Sequence, residues 1–125
     1  GQLLKRVATH QEKLRNWAGH APCNHEHRWQ LVAAEQCRVL NQIAEAIDHY
    51  DLAIAQAEAH GYLQEAALAC ELAARFYLDW GKPKLAQDYL TNAYYGYARW
   101  GAKAKVQDLE RRYPGLLMPI LQQQQ

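Results

Sequence analysis

Apolar residues recur every three or four positions along most of the chain, which is the spacing of one face of a helix. Between residues 43 and 60 this apolar stripe consists of Ile43, Ile47, Tyr50, Ile54 and Ala57. Breaks rich in Gly, Pro or Asn separate successive stripes. The pattern predicts helices over residues 2–18, 24–40, 43–60, 63–80, 83–100 and 102–113, followed by a flexible tail over residues 118–125.

Small and large side chains alternate in the same order twice, which gives a repeat with a period of about 40 residues. The first set is Ala34, Cys37, Ala46, Tyr50 and Ala53, and the second is Ala74, Tyr77, Ala86, Leu90 and Ala93. Small residues let two helices approach closely, while large ones fill the space between pairs. Burial of these alanines at helix crossings is therefore expected.

This order resembles the tetratricopeptide repeat, a pair of helices with a usual period of about 34 residues. Gln30 stands where that repeat usually has Trp, and Cys37 where it usually has an aromatic residue. The prediction is an all-α, right-handed stack of antiparallel helix hairpins, with a flanking helix at each end, in a single domain over residues 1–117. An unrelated bundle of antiparallel hairpins is the alternative.

Composition supports the helical prediction. The chain has 21 Ala, 16 Leu and 13 Gln, against 4 Val, 4 Ile and 2 Thr, so helix formers far outnumber the β-branched residues that a sheet needs. It has no Ser, which excludes a serine nucleophile within these 125 residues. No apolar run is long enough to predict a membrane span.

Charge and cysteine content limit the kinds of partner and the cellular compartment that the sequence predicts. The net charge of +1 gives no electrostatic reason to expect nucleic acid, which usually requires a basic patch. The three cysteines are widely spaced and odd in number, which favours reduced thiols in a cytoplasmic protein. The chain shows no signal peptide and starts abruptly, which suggests a fragment of a larger protein.

Several segments together resemble the helical array of large cyanobacterial-type multi-sensor signalling kinases. They span residues 24–35, 50–54, 71–77, 93–106, 109–110 and 113–114, and residues 94–106 are the most specific part. The similarity covers about residues 10–117 and departs from the family at His25 and Glu26. In that family the array lies between a serine/threonine kinase domain with a predicted ATPase and a GAF sensor with a histidine kinase. The resemblance implies an inter-domain segment that carries none of the family's catalytic residues. We expect no cofactor, and we expect the partner to be a protein, either a peptide or the neighbouring kinase, ATPase or GAF domains.

The inner curve of such an array is lined by the first helix of each pair. Its outward positions are predicted to be Arg28, Leu31, Glu35 and Arg38 in the first pair, and Leu68, Glu71, Arg75 and Leu78 in the second. This mixture suits a protein-binding groove. It equally suits a solvated face stabilised by Glu35–Arg38 and Glu71–Arg75 ion pairs.

The aromatic block of Tyr94, Tyr95, Tyr97 and Trp100 adds one candidate contact residue. Tyr97 and Trp100 follow Ala93 on the predicted core face. Tyr94 and Tyr95 cannot both be buried by one stripe, so one of them is expected on an outer surface, where Tyr favours contacts. Tyr95 joins the predicted partner-binding residues.

An alternative hypothesis is a small-ligand or metal site. His20, Cys23, His25 and His27 lie close together in sequence, and imidazole and thiolate are zinc and copper ligands. Their spacing matches no closed zinc site, and Asn24 as a helix N-cap would make this segment an ordinary helix start. A third hypothesis is self-assembly with a second copy through an uncovered end helix.

Overall fold

The computed structural model describes residues 22–123, and this part of the chain forms six helices without a strand. Their bounds are α1 Pro22–Val39, α2 Ile43–Ala59, α3 Leu63–Asp79, α4 Pro83–Trp100, α5 Lys103–Arg112 and α6 Pro114–Gln123. The all-α prediction is confirmed. The predicted helix over residues 2–18 lies outside the described residues.

Two helix ends differ from the prediction. The first helix begins at Pro22, so Asn24 lies inside its first turn and the prediction that Asn24 caps it is wrong. Proline suits the first position of a helix, because the missing N–H has no partner there in any case. Tyr113 was predicted to end the regular structure, yet Pro114 starts α6 for the same reason.

The first four helices end in the same kind of turn, at evenly spaced positions in the sequence. Asn41, Gly61, Gly81 and Gly101 all have positive φ, at 61°, 77°, 84° and 85°. At three of these turns, the amides of the positive-φ residue and of the residue after it both donate hydrogen bonds to carbonyl groups in the last turn of the helix. At Gly81 these bonds are Gly81 N to Leu78 O at 3.0 Å and Lys82 N to Tyr77 O at 2.8 Å. The turns at Asn41 and Gly81 each join two helices that pack along one another, α1 with α2 and α3 with α4, as antiparallel hairpins.

The chain divides into two compact units, and the boundary lies between Gly61 and Tyr62. In the first, α1 packs along α2. Gln30 of α1 is buried, and its amide group bonds the side chains of His49 at 2.6 Å and Glu26 at 3.3 Å. A buried amide thus occupies the position where a tetratricopeptide repeat has Trp, and it is tolerated because both of its polar atoms have partners.

In the second unit α3 packs along α4. The two helices approach closely at Gly96, where an added Cβ atom would lie 2.9 Å from Cβ of Ala67. The two backbones can lie this close only because Gly96 has no side chain. Elsewhere along the two helices large side chains meet, as where the ring of Tyr89 in α4 stacks on that of Tyr77 in α3 with centroids 5.1 Å apart.

The two hairpins bury equivalent positions of the repeat. The buried pairs are His27/Ala67, Gln30/Cys70, Ala33/Ala73, Ala34/Ala74, Cys37/Tyr77, Ala46/Ala86, Tyr50/Leu90, Ala53/Ala93 and Ala57/Tyr97. Burial of Ala34, Ala46, Ala74 and Ala86 is confirmed. The right-handed tetratricopeptide-like stack and the single domain stay predictions.

The second unit continues into two short helices, α5 and α6, which pack on α4 and on each other. Leu109 of α5 and Leu117 of α6 are fully buried, and Ile120 is nearly so. The prediction of a flexible tail from Met118 onwards is therefore wrong as far as Gln123, because two apolar side chains three positions apart give α6 a face to pack. No helix within residues 22–123 combines the length and the apolar character that a bilayer crossing requires.

Candidate functional site

A buried carboxylate lies at the centre of the second unit. Glu71 of α3 is 9% exposed, and its Oε1 accepts a hydrogen bond of 2.7 Å from the hydroxyl of Tyr97 in α4. From α5, Lys105 Nζ lies 3.1 Å from the same oxygen and Arg112 Nη1 lies 3.6 Å from Oε2. We call these four residues the Glu71 cluster. It joins three helices through one side chain.

The chemistry of the cluster is that of a satisfied buried anion. Removing a carboxylate from water is costly unless hydrogen bonds and opposite charges replace its hydration. Here one phenol and two cations supply them. Burial raises the pKa of the Tyr97 phenol, and the hydrogen bond to Glu71 raises it further, so Tyr97 remains a protonated donor at neutral pH.

Two further contacts hold the α5 side of the cluster. The ammonium of Lys105 lies 5.2 Å from the ring centroid of Tyr97, within the range of a cation–π interaction. Arg112 also pairs with Asp108 at 3.2 Å, and Arg111 pairs with the same carboxylate at 2.8 Å. The hydrogen bond from Arg112 lowers the pKa of Asp108. Arg112 therefore bridges two carboxylates, which restricts the rotation of its side chain.

Above the cluster is an open cavity of about 400 Å³. Its lining combines an apolar wall of Leu68 and the Tyr97 ring with the polar ends of Gln64, Glu65 and Lys105. Leu68 is 40% exposed, which is high for a leucine in the middle of a packed helix. Three of the five lining residues are therefore polar or charged, and Leu68 is the exposed aliphatic side chain among them.

On the first unit, the predicted partner-binding residues form a polar face of α1. Arg28 is exposed, and Leu31, Glu35 and Arg38 are half-buried. The predicted Glu35–Arg38 ion pair is present at 3.1 Å, and the hydroxyl of Tyr50 donates a hydrogen bond to the same glutamate. The carboxylate of Glu35 thus orients Arg38 along α1.

On the second unit, the predicted face is partly wrong. Leu68 is exposed at its outward position, whereas Glu71 is buried. Glu71 pairs with Lys105 and Arg112, because α5 brings two cations onto this side of α3, where Arg75 is half-buried. The role of these positions in partner binding stays a prediction.

The residues of the aromatic block are not all buried. Tyr94 is buried and Tyr95 is 39% exposed, which confirms that one of the two faces outward. Trp100, predicted in the core, is 52% exposed. Since Gly96 lies against Ala67, the last turn of α4 is level with the first residues of α3, where little helix remains to cover an indole.

Three members of the Glu71 cluster were not among the predicted site residues: Tyr97, Lys105 and Arg112. None of them lies on the helix that carries Glu71, and the two cations belong to the second helix after it. One local signal was available. Lys105 and Arg112 are seven positions apart on a predicted helix, which places two cations on one face next to Leu109.

The predicted metal site in the histidine-rich segment lies mostly outside the described residues. His20 lies outside the described residues, as do the side chains of Cys23 and His25, while His27 is buried in α1. Within the part of the chain that the structure describes, no three His, Cys, Asp or Glu side chains are placed to hold a metal ion.

Comparison with known proteins gives no match: no protein-family model, curated protein or solved structure corresponds to this chain. The resemblance to the helical array of multi-sensor kinases stays a prediction from the residues alone.

Proposed function

We propose that this chain is a non-catalytic helical module that binds another protein, and that the partner inserts an apolar side chain beside Leu68. The observation that carries the proposal is the cavity above the Glu71 cluster, with an exposed leucine at its wall. An exposed apolar side chain within a concave, polar-rimmed site is typical of the anchor points of protein interfaces.

The Glu71 cluster supports this role by making the cavity rigid. Lys105 both lines the cavity and pairs with Glu71, so its ammonium is held in place before a partner arrives. Preorganised side chains lose less conformational entropy on binding. The cluster itself is a poor catalytic centre, since Glu71 already has three partners and Tyr97 holds its proton firmly.

The resemblance to multi-sensor kinases suggests where such a module would act. In that setting the partner is a neighbouring kinase, ATPase or GAF domain of the same protein, and the module transmits a signal between domains in the cytoplasm.

Site-specific photocross-linking tests the proposal. A photoreactive amino acid at position 68 should capture one protein in the cells that make this chain, whereas the same group at the exposed Asp88 on α4 should not. The captured protein, once purified, should bind the unmodified chain at least tenfold more tightly than a Leu68→Asp variant with an unchanged circular dichroism spectrum. Equal capture from positions 68 and 88, or equal affinity for both chains, would contradict the proposal.

A further inference from the structure

The sequence of α6 does not favour a helix by itself. Pro114–Gln123 is only ten residues long and contains Gly115 in its first turn and Pro119 in its interior. Pro119 has no N–H, so the carbonyl group of Gly115 loses its helical hydrogen bond. Helices of this length are marginal in water even with good helix formers. The helical state of α6 therefore depends on the surface against which it packs.

That packing involves one narrow edge of α6. Leu117 is fully buried, and Ile120, three positions later, is nearly so, whereas Met118 and Pro119 are exposed. The surface beneath belongs to α4 and α5, and Gln87 of α4 donates a hydrogen bond of 2.8 Å to the carbonyl group of Leu116.

We propose that α6 is a displaceable strap, and that the surface of α4 and α5 beneath it is a second protein-binding surface. Its partner is an amphipathic helix that carries large apolar residues three positions apart. A partner helix without internal Gly or Pro can make the contacts of Leu117 and Ile120 without the conformational cost that α6 carries. The strap competes through its covalent attachment, which keeps its local concentration high.

Removal of the strap leaves the principal contacts of the second unit in place. The α3–α4 hairpin is packed at the Gly96–Ala67 approach, and α5 is held to it by the Glu71 cluster. None of these contacts involves a residue of α6. The surface is also distinct from the Leu68 cavity, so this proposal does not depend on the proposed function.

Peptide binding to the full chain tests the strap. The probe is a fluorescently labelled peptide of residues 113–123 with Gly115→Ala and Pro119→Ala, and fluorescence anisotropy measures its binding. A chain with Leu117→Asp and Ile120→Asp, in which the strap is released, should bind this peptide at least tenfold more tightly than the unmodified chain. A peptide that carries the same two aspartates is the matched control and should not bind.

Hydrogen exchange provides the second measurement. In the unmodified chain, the amides of residues 118 and 120–122 should exchange at least tenfold faster than those of residues 90–97 in α4. A Pro119→Ala chain should slow their exchange, since this exposed position then favours the helix. Equal peptide binding by both chains, equal exchange rates, or loss of the cooperative unfolding transition in the released chain would each show that α6 is a fixed part of the core.

Discussion

The close approach of α3 and α4 at Gly96 leads to a prediction that can be worked out in detail. A Gly96→Ala substitution places Cβ 2.9 Å from Cβ of Ala67, well below ordinary carbon–carbon contact. The added Cβ would also lie 3.5 Å from Cα of Ala67. Relief of the overlap therefore requires the backbone of α3 to move, and a side-chain rotation is not enough. Separating two packed helices in this way is a case of overpacking, which typically costs about 1–3 kcal/mol.

A second effect opposes the first. Alanine is about 1 kcal/mol more favourable than glycine in a helix interior. The net result for Gly96→Ala is therefore a loss of about 1 kcal/mol in the free energy of unfolding. The control is Gly115→Ala in α6, where an added Cβ meets no atom within 4 Å, so that only the favourable helix term remains.

Urea denaturation followed by circular dichroism measures both substitutions and completes a double-mutant cycle with Ala67→Gly. That single change should cost about 2 kcal/mol, from helix propensity and the loss of a buried methyl group. In the double variant Ala67→Gly with Gly96→Ala, the helix propensities of the two substitutions cancel. The steric overlap between the two Cβ atoms also disappears, because position 67 no longer has one. Its stability should be close to that of the unmodified chain. Since the two single changes cost about 1 and about 2 kcal/mol, this gives a coupling energy of about 3 kcal/mol.

Two results would refute this reasoning. One is a stabilisation by Gly96→Ala as large as that by Gly115→Ala, which would mean that the helices are not in close contact. The other is a cycle that is additive to within about 0.5 kcal/mol, which would mean that positions 67 and 96 do not share a boundary.

Three further predictions concern the Glu71 cluster and the first turn. Glu71→Gln keeps an acceptor for Tyr97 but removes the charge that pairs with Lys105 and Arg112, so urea denaturation should show a loss of about 1–2 kcal/mol; no loss would indicate that the ion pairs are unimportant. Because the pKa of Tyr97 is raised on folding, its contribution is complete below its ordinary pKa of 10.0 and is lost as the pH rises above that value. The stability advantage of the unmodified chain over Tyr97→Phe should therefore shrink in alkaline urea titrations, whereas a constant gap would contradict the raised pKa. Asn41→Gly should raise the melting temperature slightly, since glycine adopts the observed φ of 61° with less strain, and Asn41→Ala should lower it.

Sequence patterns predicted the helices well because their determinants are local. Helices α2 to α4 closely match the bounds predicted for them, since each stripe ends at a turn residue that adopts positive φ, such as Gly81. The repeated order of small and large residues likewise predicted burial, because small side chains are needed wherever two helices cross. Those signals are readable within one or two helical turns.

The wrong predictions concern features that depend on residues far apart in the sequence. Nothing within α3 indicates that Glu71 is buried, because the cations that compensate its charge belong to α5, which follows only after the whole of α4. The segment after Met118 looked like a tail because Gly115, Pro119 and the final glutamines are poor local signals for a helix. Its order depends on Leu117 and Ile120 finding a surface on other helices.

The amino-acid sequence alone thus determined that this chain forms helices, where they turn, and which faces repeat from one hairpin to the next, because propensity and periodicity act over a few residues. Tertiary structure decided which polar groups are buried together and which short segment becomes ordered. Both outcomes depend on contacts between residues far apart in the chain, whose free energy is gained only once the helices have packed.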